Sequence, residues 1–281
     1  MRGAPLANLN TMDFTAQAPA FTAQAQVFAA LHKPGEPLLL PNAWDAGSAS
    51  VIAAAGAPAI ATTSSGVAWS LGLRDGVSAG GLDAALVAAV IARIVAAVDV
   101  PVSADIEAGY ADVAETVAAV AAAGAVGVNL EDRASAGVLR GPAEQADRIA
   151  AARLAGPSVW INARTDVFLG GSADLAEALD RSAAYAAAGA HSLFVPGLLD
   201  LDALAEIVAG PLPVAVMAWP GAPTVAELAA AGVARISLGS GIAQAAYAVA
   251  ARAATEMLTA GTYHASVGGI DYGTMNAPRG S

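Results

Sequence analysis

Eight short apolar runs alternate with alanine-rich segments along almost the whole chain of 281 residues. The runs are typical of β-strands because they are short and often rich in β-branched residues, and the segments between them are typical of helices. Strict alternation predicts a parallel sheet covered by helices, and eight strands close a (β/α)8 TIM barrel. The predicted strands are Leu38–Leu40, Ala59–Thr63, Val100–Asp105, Val126–Leu130, Val159–Ala163, Ser192–Val195, Val214–Met217 and Arg235–Leu238.

Glycines mark the ends of the predicted helices. The sequence Ala-Ala-Ala-Gly occurs four times, each time just before an apolar run, and its glycines are Gly56, Gly124, Gly189 and Gly232. A glycine after a helix supplies the left-handed cap that turns the chain into the next strand. Asp45, Asp83, Asp112, Asp174, Asp200 and Thr224 are placed as N-caps. The strand count favours a barrel over the alternative, an open doubly wound sheet.

We predict one barrel domain over residues 21–281, preceded by an irregular tail over residues 1–20. The barrel is expected to carry an N-terminal helix and a long C-terminal helix over Ile242–Leu258. That last helix either closes the barrel or packs on a neighbouring subunit.

Composition excludes several classes of function. No stretch of about 18 strongly apolar residues is present, and the first twenty residues lack the pattern of a secretory signal, so we expect a soluble, cytoplasmic protein. The net charge of −11 and the lack of a basic stripe argue against nucleic acid as a partner. With no cysteine, the chain has no thiolate nucleophile, disulfide or iron-sulfur cluster. Its single lysine, Lys33, is not at a strand end, which argues against a Schiff base.

Acidic side chains follow neighbouring strands at the edge where barrel enzymes carry their active sites. Asp105 ends the third predicted strand, Glu107 follows it and points to the same side, and Glu131 follows the fourth strand. Such crowded anions raise one another's pKa unless a cation lies between them. Oxygen ligands of this kind suit Mg2+, with Mn2+ as the alternative.

The alternative interpretation is that these acids cap helices or pair with arginines. We prefer it for Asp112 and Asp132, and the metal interpretation for the other three. Arg164, at the end of the fifth strand, is typical of bidentate carboxylate recognition or of stabilising an enolate oxygen, although a structural ion pair stays open. The hydroxyl-rich segment Thr62 to Gly66 is interpreted as a turn whose amides bind an anion.

At these residues the sequence resembles the isocitrate lyase and phosphoenolpyruvate mutase superfamily, from about residue 24 to residue 277. The branch it is most similar to is carboxyvinyl-carboxyphosphonate phosphorylmutase-like. The resemblance rests on the combination of Pro41-Asn42-Ala43-Trp44-Asp45, the Thr62 to Gly66 turn, Leu73-Arg74-Asp75-Gly76, Asp105 to Tyr110, Asn129-Leu130-Glu131-Asp132 and Ala163-Arg164-Thr165-Asp166.

The resemblance implies a Mg2+-dependent enzyme that makes or breaks a bond next to an oxo acid, through a pyruvate-like enolate held on the metal. It implies a metal shell of Asp75, Asp105, Glu107 and Glu131. It also implies that Ser65, Gly66, Val67, Asn129 and Arg164 bind the substrate, that Trp44 walls the site, and that Arg164, Glu131 and Trp44 serve catalysis. Members of the superfamily usually form homotetramers that exchange a C-terminal helix, so a homo-oligomer (dimer or tetramer) is expected.

One segment departs from the superfamily pattern. Lyases of the superfamily carry a Lys-Lys-Cys-Gly-His loop whose cysteine acts as an acid, whereas residues 133–142 here contain no cysteine, lysine or histidine. General acid catalysis contributes about 100-fold to 10,000-fold, so cleavage of isocitrate or methylisocitrate is not expected. Arg133 and Arg140 are candidates for a lid cation and Ser135 for a hydrogen bond.

The leading hypothesis is a Mg2+-dependent carbon-carbon lyase or decarboxylase acting on a small 2-oxo or 2-hydroxy carboxylate. The alternatives are phosphonomutase or phosphonopyruvate hydrolase chemistry, and a catalytically reduced protein that binds a carboxylate.

Overall fold

The computed structural model describes residues 23–76, 81–134, 138–169 and 174–277. Within them, nine strands pair in parallel around a barrel with helices outside, which confirms the predicted (β/α)8 class. The strands are β1 (Leu38–Leu40), β2 (Asn42–Ala43), β3 (Ile60–Thr62), β4 (Val102–Asp105), β5 (Gly127–Glu131), β6 (Trp160–Arg164), β7 (Ser192–Phe194), β8 (Val214–Met217) and β9 (Arg235–Ser237).

The ninth strand arises because Pro41 separates the first predicted strand, Leu38–Leu40, from a further short strand that was not predicted, β2. Proline has no N–H to donate, so it interrupts a strand's ladder of hydrogen bonds. The strand before it, β1, pairs with β9, and the strand after it, β2, pairs with β3. Together, β1 and β2 therefore join the last strand to the rest of the sheet. Each of the eight predicted runs contains an observed strand.

The helices follow the predicted alternation. They are α1 (Ala46–Ala54), α2 (Ser64–Ser70), α3 (Ala84–Val95), α4 (Val113–Ala122), α5 (Pro142–Ala155), α6 (Leu175–Ala187), α7 (Leu201–Val208), α8 (Val225–Ala230), α9 (Gly241–Thr259) and α10 (Tyr272–Met275). Residues 23–30 are also helical. All six predicted N-caps are confirmed, since each side chain accepts a hydrogen bond from a backbone N–H in the first turn. The four predicted cap glycines have φ between 87° and 98°.

One local prediction is wrong. The segment from Thr62 to Gly66 is not a free turn, because β3 ends at Thr62 and α2 begins at Ser64. The Val67 N–H donates to the Thr63 carbonyl at 3.0 Å, which closes the first turn of this helix.

The strands carry different residues on their two faces. Side chains that face the helices are apolar and fully buried, as with Val128 and Ile161. In the middle of the barrel the alternate residues are polar and also buried, namely Asn129, Asn162 and Arg235. The layer between the strands and the helices is therefore apolar, and the centre of the barrel is polar and hydrogen-bonded.

A stack of rings closes the amino-terminal end of the barrel. Phe28, from the helical residues 23–30, is fully buried, and a Cβ added to Gly127 would lie 2.7 Å from its Cε1. His32 stacks on Trp160 at 4.3 Å between ring centroids, and Trp160 stacks on His191 at 4.9 Å. This packing explains why the chain needs glycine at residue 127.

The buried His32 predicts a loss of stability in acid. Burial, assisted by the charge of Arg235, lowers the pKa of His32 to about 3. The unfolded chain binds a proton near pH 6.5 and the folded chain does not, so this contribution is complete above pH 6.5 and is lost as pH falls toward the folded pKa. At pH 5 the loss of unfolding free energy from this source is about 2 kcal/mol.

Urea unfolding at pH 7 and pH 5 checks this expectation. The fall in unfolding free energy between these pH values should be about 2 kcal/mol smaller in His32→Gln than in the wild type. His264→Gln is the matched control, since the side chain of His264 is 84% exposed. An equal fall in wild type and His32→Gln would contradict the assignment.

The carboxyl-terminal part of the described chain is more exposed. The long predicted helix is present as α9, and large apolar side chains on it and after it lie in solvent, including Met257, Leu258, Tyr263 and Val267. Helix exchange and a homo-oligomer stay predictions. The predicted tail over residues 1–20 lies outside the described residues. No helix in the described part of the chain has both the length and the apolar character needed to cross a membrane.

Candidate active site

A cavity of about 260 Å³ opens where the carboxyl ends of the strands meet. Seven of the ten predicted site residues line it: Ser65, Asp75, Asp105, Glu107, Asn129, Glu131 and Arg164. Sequence reasoning gave no role to four further lining residues, namely Asn42, Phe194, Met217 and Ser237. None of the four is charged, and of them only Asn42 lies in a motif that was quoted for the resemblance.

The other three predicted site residues lie behind the cavity wall. Gly66 and Val67 are buried in the first turns of α2, and Trp44 packs against them. A Cβ on Gly66 would lie 2.8 Å from the Cβ of Trp44, so glycine is needed at this position for close packing. The structure therefore places Trp44 as a support of α2 and does not place it on the cavity wall.

Asp105 and Glu107 are held by the backbone around them. One carboxylate oxygen of Asp105 accepts from the Ser64 N–H and the other from the Glu107 N–H, both at 3.3 Å. Glu107 has a φ of 49°, in the left-handed region that non-glycine residues rarely adopt. Such strain is stored at functional sites more often than elsewhere, and here it belongs to a residue that lines the cavity.

The electrostatics of the cavity favour a bound cation. Burial, together with the charges of Asp105, Asp75 and Glu131, raises the pKa of Glu107 to about 8. Burial also raises the pKa of Asp105, although Arg164 opposes this. A divalent cation among these groups would remove the repulsion that keeps protons on them.

Arg164 is fixed by two carboxylates. Its Nε donates to Asp166 Oδ1 at 2.6 Å and its Nη2 to Asp166 Oδ2 at 3.0 Å, while Nη1 lies 3.0 Å from Glu131 Oε2. Burial lowers the pKa of Arg164, but Glu131 and Asp166 outweigh it and raise the pKa overall. Burial raises the pKa of Glu131 to about 7 even though Arg164 opposes it. The ion-pair interpretation of Arg164 is therefore confirmed, and its role in recognising a carboxylate stays a prediction.

The segment that replaces the superfamily's lyase loop is tied down at its base. Arg133 lines the cavity, and its Nε donates to Asp166 Oδ2 at 2.7 Å. Arg140 is 3.3 Å from Glu144 and is not among the lining residues. The Ala134 N–H donates to the Val138 carbonyl at 2.6 Å. Ser135 lies outside the described residues, so its predicted hydrogen bond stays a prediction.

The two acids that we assigned to structural roles both have them. Asp112 caps α4 through the Glu115 N–H at 2.8 Å. Asp132 is fully buried and accepts from Arg181 at 3.0 Å and from the Tyr185 hydroxyl at 2.8 Å. The arginine that pairs with Asp132 is therefore Arg181 of α6, whereas Arg133 pairs with Asp166.

Comparison with known proteins decides the family. The family model described as phosphoenolpyruvate phosphomutase matches residues 28–258, which include every residue that lines the cavity. The chain belongs to the phosphoenolpyruvate phosphomutase family.

Two curated relatives differ in how similar they are to this chain and in whether their activity is named. An uncharacterized protein of Mycobacterium tuberculosis is 42% identical over 214 residues, which cover 75% of this chain and 80% of the relative. The 2-methylisocitrate lyase of Salmonella typhimurium is 35% identical over 196 residues, which cover 61% of this chain and 65% of the lyase. The family and its neighbours are enzymes of a lyase and mutase superfamily.

Solved structures agree with this assignment. A Burkholderia cenocepacia J2315 protein with a provisional assignment as a phosphonomutase is 44% identical, with a TM-score of 0.78, covering 86% of this chain and 100% of that one. A phosphonopyruvate hydrolase crystallised with oxalate and Mg2+ is 22% identical, with a TM-score of 0.77 and coverage of 90% and 93%. That second likeness supports the fold alone.

The donor set of this phosphoenolpyruvate phosphomutase family member fits a sparsely ligated hard cation. In the described part of the chain, no three acidic or histidine side chains are grouped closely enough to ligate one ion together. Mg2+ commonly takes one or two carboxylates and completes its shell with water and substrate. Asp105 and Glu107 share a cavity, and the charge of Asp105 helps to raise the pKa of Glu107, so the two carboxylates suit that kind of site.

Proposed function

We propose that the protein is a Mg2+-dependent lyase that cleaves or decarboxylates a small 2-oxo or 2-hydroxy carboxylate. One observation carries the proposal. A single small cavity brings the guanidinium of Arg164 together with the carboxylates of Asp105, which is partly buried, and Glu107, which is buried. A fixed cation suits the substrate's carboxylate, and crowded anions suit a divalent metal.

The proposed metal set is Asp75, Asp105, Glu107 and Glu131, with direct or water-mediated contacts. When bound, Mg2+ would act as a Lewis acid and polarise the oxygen on the carbon next to the substrate carboxylate. Mn2+ offers the same oxygen-seeking chemistry.

The chain's own residues would bind and orient the substrate. Arg164 would pair with the substrate carboxylate, with the Asn129 side-chain amide and the Ser65 backbone N–H donating hydrogen bonds beside it. The Ser65 hydroxyl donates to Asp75 at 2.7 Å, so its position is already tied to the metal set. Glu131 lies 3.0 Å from Arg164, so it would hold the guanidinium in place beside the substrate carboxylate. Trp44 would act through α2 by holding Gly66 and Ser65 in place.

The reduced loop favours decarboxylation or a related cleavage. Among the described residues 133, 134 and 138–142, no side chain is a carboxylic acid, thiol or imidazole. A product whose negative charge is held by a cation needs less help from a positioned acid, and oxaloacetate is the simplest substrate of that kind.

A coupled assay for pyruvate and glyoxylate release tests the proposal. Oxaloacetate and a panel of 2-hydroxy di- and tricarboxylates would be supplied with Mg2+ or with EDTA. Turnover is expected with Mg2+ and not with EDTA. Asp105→Asn is expected to lower the turnover rate at least about 100-fold, because the variant loses a charged metal ligand. Asp147→Asn is the matched control, since Asp147 is exposed on α5.

Inactivity of the wild type across the panel would contradict the lyase proposal. Retained Mg2+-dependent binding of oxalate, without turnover, would instead indicate a protein that binds carboxylates without cleaving them.

The second candidate is phosphonate chemistry, and the family-model match is the observation that favours it. The same cation and metal set would suit a phosphonopyruvate, which has the same carboxylate and 2-oxo group. Phosphorus-31 NMR of phosphonopyruvate incubated with enzyme and Mg2+ separates the two candidates. A new phosphorus signal would favour this second candidate, and an unchanged spectrum beside pyruvate release from oxaloacetate would favour the lyase.

A further inference from the structure

The polar middle of the barrel contains a cation that forms no ion pair with a carboxylate among the described residues, although the charge of Asp105 raises its pKa somewhat. Arg235 is 1% exposed, and its Nη2 donates to the amide oxygen of Asn129 at 3.1 Å. Its Nη1 has no hydrogen-bond partner in the described structure. Burial lowers the pKa of Arg235 to about 10. A buried arginine with so few partners costs folding free energy, so a role in the site would account for it.

Arg235 reaches Asn129 across the barrel. In the order of the strands, β9 and β5 lie on opposite sides of the circuit. Arg235 is in β9 and Asn129 is in β5, so the long arginine side chain passes beneath the cavity floor. Asn129 lines the cavity and Arg235 does not.

A chain of hydrogen bonds fixes which way the Asn129 amide faces. Trp160 Nε1 donates to the Ser192 hydroxyl at 2.8 Å, and that hydroxyl donates to Asn162 Oδ1 at 2.6 Å. The Asn162 nitrogen is then left to donate to Asn129 Oδ1 at 2.9 Å.

Arg235, at the other end of this series of hydrogen bonds, fixes the orientation of the Asn129 amide. A guanidinium only donates, so Arg235 also requires Asn129 to present its oxygen. Asn129 Oδ1 therefore accepts two hydrogen bonds, and the amide nitrogen of Asn129 can donate to a group in the cavity. The usual uncertainty between the two ends of an asparagine amide does not arise here.

We propose that Arg235 is a positioning residue that turns the Asn129 amide so that its N–H group faces the cavity and donates to an anionic oxygen of the ligand. The inference deepens the proposed function and rests on it in one respect, namely that the cavity binds a carboxylate. Arg235 itself does not touch the ligand.

Calorimetric titration of oxalate in the presence of Mg2+ tests the role in binding. The full chain would be compared with Asn129→Ala, Arg235→Met and the double variant. Asn129→Ala is expected to weaken oxalate binding about tenfold, in keeping with a hydrogen bond to a charged group, and Arg235→Met to weaken it by a similar factor. The double variant should bind no more weakly than Asn129→Ala, because Arg235 acts through Asn129.

Two comparisons separate positioning from general damage to the fold. Arg93→Met, at an exposed position of α3, should bind oxalate like the wild type. Ser192→Ala breaks the same chain at its far end, so it should weaken binding less than Arg235→Met but in the same direction. If Arg235→Met does not fold, the oxalate affinity of Ser192→Ala, alone and combined with Asn129→Ala, decides whether this series of hydrogen bonds positions the Asn129 amide.

The orientation of the amide is measured independently by NMR with 15N-labelled asparagine. The Asn129 side-chain signal, identified by its loss in Asn129→Ala, should shift or broaden in Arg235→Met and stay unchanged in Arg93→Met. An unchanged Asn129 signal in Arg235→Met, or fully additive losses of oxalate affinity, would overturn the inference. If the wild type does not bind oxalate, the proposed function fails, and the NMR spectra still decide the positioning role.

Discussion

Replacing Arg164 with methionine is expected to lower kcat/KM for the proposed substrates by about 100-fold to 1,000-fold, the range for losing a preorganised charge at a reacting site. The guanidinium is held by Asp166 through two hydrogen bonds and by Glu131 at 3.0 Å, so it is set in place before any ligand arrives. Methionine keeps much of the volume and loses every donor.

Steady-state kinetics of three variants check this expectation. Arg164→Lys keeps the charge but loses the planar fork, so its kcat/KM should lie between those of wild type and Arg164→Met. Arg93→Met, on the exposed face of α3, should leave kcat/KM unchanged. Thermal unfolding shows whether each variant is folded at the assay temperature. A folded Arg164→Met enzyme within threefold of wild type would rule out the proposed role.

Replacing Asp132 with alanine is expected to lower the free energy of unfolding by about 3–5 kcal/mol, because it breaks a buried ion pair. Arg181 would keep only one carboxylate partner, the partly exposed Glu177, and the Tyr185 hydroxyl would lose its buried acceptor. Asp132 is fully buried, and it accepts from Arg181, from the Tyr185 hydroxyl and from the Asp166 N–H. In a chain of this size the change corresponds to a fall in Tm of about 10 °C.

Thermal and urea unfolding of a double-mutant cycle check this second expectation. Combining Asp132→Ala with Arg181→Met should cost less than the sum of the two single changes, because the buried charge is removed with its partner. Asp147→Ala, at an exposed position, should change stability by less than about 0.5 kcal/mol. Additive losses in the cycle would show that the pair is not coupled.

The barrel was predictable because its signals are local. Apolar runs, cap residues such as Asp83 and glycines such as Gly124 each specify a few residues, and together they set the order of strands and helices. The sequence did not predict α2, since a short hydroxyl-rich segment has the composition of a turn as well as that of a helix start.

The sequence predicted which residues form the candidate site better than it predicted how their side chains are arranged. Carboxylates at neighbouring strand ends indicated one location, and Asp105, Glu107 and Glu131 do line one cavity. Which acid pairs with which arginine depends on side-chain reach across the fold, so the Asp132 pair with Arg181, 49 positions away, had no sequence signal. For the same reason, the contact between Arg235 and Asn129 required the closed barrel.

Pairing between β1 and β9 has a consequence for how the molecule is made. Leu38 lies beside Arg235, so the seam of the barrel joins residues separated by most of the polypeptide. A ribosome must release nearly the whole chain before this seam can form, and until then the outer strands keep unpaired amide and carbonyl groups. Synthesis in the cell therefore passes through a stage with open sheet edges, when protection by chaperones matters most.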